Sequence, residues 1–96
     1  MRRVLIISTE HHVALALATV LRDNGHLVWH ETDSVAAMLA MKEFSPNSMI
    51  TVSDSAVFVC NRDSTEISEL PRPVDTNALL RVLEMTCAAN VADLKF

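Results

Sequence analysis

The stretch RRVLIISTEHHVALALATVLRDNGHLVWHE, residues 2–31, decides the fold. Val4 to Ile7 are four consecutive large apolar residues. Such a run, rich in branched side chains, fits a strand covered on both faces, as in a parallel sheet. Ser8-Thr9-Glu10 ends it. Thr9 is placed to cap a following helix, and Glu10 suits the positive end of that helix's dipole. Residues 10–24 read as the helix itself. Val13, Ala14, Leu17, Ala18, Val20 and Leu21 recur at three- and four-residue steps, and alanine and leucine favour helix intrinsically. Asp23-Asn24-Gly25 marks its end, with the chain's single glycine where a left-handed residue is wanted. His26 to Glu31 then reads as a second strand by its branched and aromatic content.

The same grammar extends outward. Asp33 or Ser34 can cap a helix over residues 34–44, with Val35, Met38, Leu39, Met41 and Phe44 as its expected apolar face. Ser45-Pro46-Asn47 closes it, because proline pushes its predecessor out of helix. Met49–Val52 and Ala56–Cys60 look like two strands. Only Ser53-Asp54-Ser55 separates them, which is turn chemistry and far too short for a crossover helix. An antiparallel hairpin near residues 49–60 follows. Asn61 to Ser68 is polar and reads mainly as loop, and Ile67–Leu70 fits a last short strand. After Pro71-Arg72-Pro73, Asp75 caps a final helix over residues 76–89 that buries Leu79, Leu80, Val82, Leu83 and Met85. The tail from Asn90 to Phe96 is either frayed or docked by Leu94 and Phe96. Strand-helix-strand-helix-strand implies a parallel core with right-handed crossovers. The expected fold class is therefore α/β: one domain over residues 1–96, a mostly parallel sheet with helices on both faces, and a hairpin at one side.

Composition narrows the function classes. The 96 residues carry a net charge of -4, and half are hydrophobic. Nucleic-acid binders concentrate basic charge, because phosphate contacts dominate their affinity. Here eight basic residues are scattered, and Arg2-Arg3 reads as a solvated flank. Direct binding to nucleic acid or to an anionic membrane is not expected. Cys60 and Cys87 lack any motif spacing and read as reduced thiols of a cytoplasmic protein. No apolar run reaches the ~18 residues of a membrane span, and no signal peptide is visible.

Three stretches, in this order, resemble a response-regulator receiver domain. VLIISTE (residues 4–10) stands where receivers carry an apolar strand ending in acidic residues. LALATVLRDNGHLVWHETDSVAAMLAM (15–41) resembles the first helix, glycine turn, second strand and second helix. ELPRPVDTNALLRVL (69–83) resembles the Lys-Pro turn and the start of the last helix. Together they cover more than half of the chain. Between residues 49 and 70 the chain is too short by at least one strand-helix unit. The resemblance implies a shortened flavodoxin-like three-layer sandwich.

Receiver chemistry moves a phosphoryl group from a kinase histidine to an aspartate with Mg²⁺, which wants several oxygen ligands. Most of its parts are altered here. Ser8 and Thr9 replace the acidic pair, Arg72 stands for the lysine, and Asp54 is the candidate acceptor, in what reads as a hairpin turn. Neutral hydroxyls hold a hydrated divalent cation poorly, and arginine keeps the lysine's charge but not its shape. The resemblance thus implies a pseudo-receiver that is not phosphorylated, needs no cofactor or metal and acts by binding. Its partner would be a kinase, a transcription regulator or a second copy in a homodimer. By the family's habit the interaction face would include Arg72, Val74, Leu80 and Glu84. The competing expectation is a residual Mg²⁺-dependent phosphoacceptor or small enzyme using Asp54 or Asp63.

Other constellations point to little chemistry. His11 and His12 are adjacent on a helix start and diverge by ~100°, so they chelate one metal poorly. His26 and His30 could sense pH only in principle. Cys60, in the apolar run AVFVCN, could act as a nucleophile with His26 or His30, but a thiol there is usually inert filler. One glycine cannot build a phosphate cradle. Trp29 and Met38, Met41, Met49 and Met85 read as core.

Overall fold

The computed structural model describes residues 2–62 and 66–83. Expectations resting on Asp63, Glu84, Met85, Cys87 and the tail lie outside these residues. Five strands and two complete helices run in the order β1 (Arg3–Ile7), α1 (His11–Asp23), β2 (Leu27–Glu31), α2 (Ser34–Phe44), β3 (Ser48–Val52), β4 (Ala56–Asn61) and β5 (Ile67–Pro71). A third helix, α3, occupies residues 76–83.

The strands form one sheet in the order β2-β1-β3-β4-β5. β1 pairs in parallel with β2 and β3, whereas β3–β4 and β4–β5 are antiparallel. The sheet is mixed, not mostly parallel. The reason is the three-residue link at Ser53-Asp54-Ser55, which can only fold the chain straight back. Ser53 clamps that turn: its amide N–H and its hydroxyl both donate to the Ala56 carbonyl, each at 2.9 Å.

The helices lie on both faces of the sheet. On one side Leu17 and Leu21 of α1 and Leu79 and Leu83 of α3 are buried with Val4, Ile6, Ile50, Val57 and Val59. On the other, Ala37 and Ala40 of α2 pack with Leu5, beside Ile7, Trp29 and Met49.

Local chemistry explains most boundaries. Helix α1 ends in a Schellman arrangement: Gly25 N–H donates to the Arg22 carbonyl and His26 N–H to that of Leu21, both at 3.0 Å. Gly25 has φ +85°, a region that disfavours any Cβ. The Asp33 carboxylate caps α2 by accepting from Ala36 N–H at 2.8 Å, and Asp75 accepts from Asn77 N–H at 2.9 Å at the start of α3. Ser45 leaves the helical region ahead of Pro46, but into the left-handed region at φ 49° instead of extended backbone. The Arg3 guanidinium donates to its carbonyl at 2.8 Å.

Three local expectations change. Thr9 does not cap α1; Glu10 holds that position and makes no side-chain cap. Arg2 is no solvated flank. It is 6% exposed and donates to Ser48 Oγ at 3.3 Å. Helix α2 does not bury the expected face. Val35, Met38, Leu39 and Met41 are exposed, because the close approach to the sheet is made by the small residues Ala37 and Ala40.

Candidate functional site

The positions singled out in the sequence gather where the parallel strands β1 and β3 end. Arg72, just past β5, is the organiser. Its Nη1 donates to Glu10 Oε2 at 2.8 Å and its Nη2 to Glu10 Oε1 at 3.2 Å, a fork-on-fork pair across 62 residues of sequence. Nη1 also donates to the Ser53 carbonyl at 2.8 Å and reaches the Asp54 carbonyl at 3.5 Å. One guanidinium therefore ties the start of α1 to the β3–β4 turn. The chain reaches this point through Pro71 and leaves it through a cis Arg72–Pro73 bond.

Ser8 is buried and turned inward. Its hydroxyl accepts from Glu10 N–H at 3.0 Å, and its carbonyl lies 2.9 Å from His30 Nε2. Thr9 and the Asp54 side chain are exposed. Arg72 holds the Glu10 carboxyl below its ordinary range, chiefly through the hydrogen bonds it donates, and Glu10 in turn raises the Arg72 guanidinium.

Glu10 is the member that sequence reasoning missed. It was legible as a helix-start acid, but nothing in its position pointed to Arg72. Of the suggested interaction face, Val74 and Leu80 are partly buried against the α1–α3 core, and Arg72 is spent on Glu10 and the turn. Glu84 lies outside the described residues.

The divalent cation that receivers use does not fit these residues. Ser8 and Thr9 are neutral, and both oxygens of Glu10 are taken by Arg72. Among the described residues no group of three or more His, Cys, Asp or Glu side chains could hold a metal.

The histidines pair differently from expectation. His11 and His30 meet edge to face, ring centroids 5.3 Å apart. Cys60 has no histidine partner of the kind considered. It sits on β4, three strands from β2, about 14 Å at ordinary strand spacing. Among the described residues no helix is long and apolar enough to cross a membrane. No protein-family model matches the chain, and no curated protein is detectably similar to it.

Proposed function

We propose that this chain is a shortened, degenerate receiver-like module of bacterial signalling that works in the cytoplasm by binding a protein, not by accepting a phosphoryl group. The carrying observation is the commitment of Arg72. A receiver's cation must be open to a phosphoryl oxygen, but Arg72 is satisfied by both oxygens of Glu10 and by the turn carbonyl of Ser53. The neutral Ser8 and Thr9 add to the case. So does the strand order β2-β1-β3-β4-β5, which is that of flavodoxin-like sheets, here with β4 reversed. The partner fitting this reading is a kinase or a transcription regulator, or a second copy.

The test is direct. The protein is incubated with Mg²⁺ and a small acyl-phosphate donor, its intact mass is measured, and Mg²⁺ is titrated against Trp29 fluorescence. The expected result is no phosphoryl adduct and no saturable change. An adduct, or a millimolar Mg²⁺ response abolished by Asp54→Asn, would overturn the proposal and establish the phosphoacceptor alternative.

A further inference from the structure

The single glycine of the chain follows an asparagine, as Asn24-Gly25, at the end of α1. An asparagine is open to attack on its side-chain amide carbon by the backbone nitrogen of the next residue. Glycine, with no Cβ, leaves that nitrogen the least shielded. The other asparagines, Asn47, Asn61, Asn77 and Asn90, precede Ser48, Arg62, Ala78 and Val91, each of which carries a Cβ beside its nitrogen. By local chemistry alone Asn24 is the fastest to react. Asn24 and Gly25 are both exposed, so water reaches them.

The fold holds both reacting groups. The nucleophile is the Gly25 nitrogen, and its N–H donates to the Arg22 carbonyl at 3.0 Å. The leaving group is Asn24 Nδ2, which donates to the Val20 carbonyl at 2.8 Å. Asn24 has φ −98° and ψ 14°, which turns the Gly25 nitrogen away from the Asn24 Cβ. A five-membered ring closing through Cβ and Cγ needs that nitrogen on the same side as Cβ. Turning it there rotates the whole Asn24–Gly25 peptide. That breaks the Gly25 bond to Arg22 and the His26 N–H bond to the Leu21 carbonyl, the two bonds of the Schellman cap.

We propose that Asn24 is a site of spontaneous deamidation that the α1 cap holds closed, reacting only when the end of α1 opens and giving an isoaspartyl product that cannot rebuild the cap. The Gly25 nitrogen gives up its proton and bonds to Asn24 Cγ. The Cγ–Nδ2 bond breaks and ammonia leaves, which closes a succinimide. Water then opens the ring. Attack at Cγ yields aspartate, and attack at the main-chain carbonyl yields isoaspartate; the net change is one water in and one ammonia out. Helix ends open at far less cost than the whole domain, so the reaction proceeds from molecules that are otherwise folded. Aspartate keeps the backbone intact. Isoaspartate routes the chain through Cβ and Cγ, and the extra carbon displaces Gly25 and His26 from the carbonyls they meet. Both products put a negative charge at the C-terminal end of α1, beside Asp23, where the helix dipole disfavours it. His26 leads directly into β2, the edge strand of the sheet, so the displaced turn bears on the start of that strand. The inference is independent of the binding-module reading.

The test is incubation of the full chain at mildly alkaline pH, in buffer, in urea below the unfolding transition and in urea above it. Peptide mapping by mass spectrometry follows the amide-to-acid mass gain at each asparagine, and enzymatic methylation counts isoaspartate. Above the transition Asn24 converts ahead of the other four asparagines. In buffer it converts at least about tenfold more slowly, because the cap is closed most of the time. Below the transition the rate rises less steeply with urea than the unfolded fraction does, since opening a helix end exposes little surface. The isoaspartyl form, separated by ion exchange, unfolds at lower urea than the Asn24→Asp variant, which carries the charge without the extra backbone carbon. Equal rates in folded and unfolded protein overturn the protection. A rate that tracks global unfolding overturns the local opening. An unfolded chain in which Asn24 stays intact removes the site altogether. An isoaspartyl form as stable as Asn24→Asp overturns the loss of the cap.

Discussion

The guanidinium of Arg72 and the carboxylate of Glu10 meet as a two-point pair, at 2.8 and 3.2 Å, between the end of β5 and the start of α1. Neither residue is near the other in sequence, and neither is fully buried. The pair joins the first and last thirds of the chain at the end of the sheet where a receiver would do chemistry. Its likeness to a charge-neutralised pocket supports the reading of this module as a binder.

Acid should undo that pair. The folded-state pKa of Glu10 is lowered by the hydrogen bonds from Arg72. A lowered carboxyl pKa contributes stability that is fully present above the unfolded value, ordinarily 4.5, and is lost as pH falls through the lowered folded value. Urea melts of wild type and Glu10→Gln should therefore differ at pH 7 and converge well below pH ~4. Added salt should narrow the gap at pH 7, since the pair is partly exposed. A gap that survives strong acid would show that Glu10 acts by packing instead.

Helix α2 offers a contrast between its two sides. Ala40 faces Leu5 and the sheet with no room for bulk, so Ala40→Leu should cost ~1–3 kcal/mol by overpacking. Leu39→Ala, on the exposed side, should change monomer stability by no more than ~0.5 kcal/mol. Chemical denaturation at dilute protein measures both. Equal losses would mean that α2 is rotated from the orientation described.

A buried polar cluster closes the opposite end of the sheet. Ser48 Oγ accepts from Arg2 Nη1 and donates to Asn61 Oδ1, and all three residues are buried. Ser48→Ala takes a partner from each neighbour and should cost ~1–3 kcal/mol, more than an average surface serine. Thermal unfolding monitored at Trp29 reads the loss. An unchanged midpoint would show that water replaces the hydroxyl there.

Gly25 tests backbone strain in isolation. Beyond Gly25 and its two chain neighbours, no heavy atom lies within 4 Å of where a Cβ would stand, so a side chain meets open space. The cost of Gly25→Ala is then conformational alone, ~1–2 kcal/mol for the left-handed region. Gly25→Asn should cost less, because asparagine tolerates that region. Urea midpoints for the two variants give the order, and reversal of it would point to a contact beyond the turn.

Much of the chain was legible because its signals are local. The apolar run Val4–Ile7, the glycine after Asn24, the Asp33 and Asp75 caps and the short Ser53–Ser55 link each impose their structure within a few residues. The strands, the helix ends and the hairpin follow from them. Val35, Met38, Leu39 and Met41 show the limit. Hydrophobicity alone picks them for the core, but a helix lying close on a sheet is seated by its smallest side chains, and Ala37 and Ala40 won the contact. Arg2 was misjudged for a similar reason. Its charge suggests solvent, whereas Ser48 and Asn61 sit beyond β1's own stretch of sequence and make burial tolerable.

Sequence by itself determined the order and kind of elements, because helix periodicity, capping and turn residues act over a few positions. Only the tertiary structure decided which residues meet across the sheet. It brought Glu10 to Arg72, laid β5 antiparallel on β4, and left Val35, Met38 and Leu39 of α2 exposed while Ala37 and Ala40 were buried. Those outcomes depend on strand order and on which side chain fits against which. Distances between residues far apart in the chain are set by packing, and no local pattern encodes them.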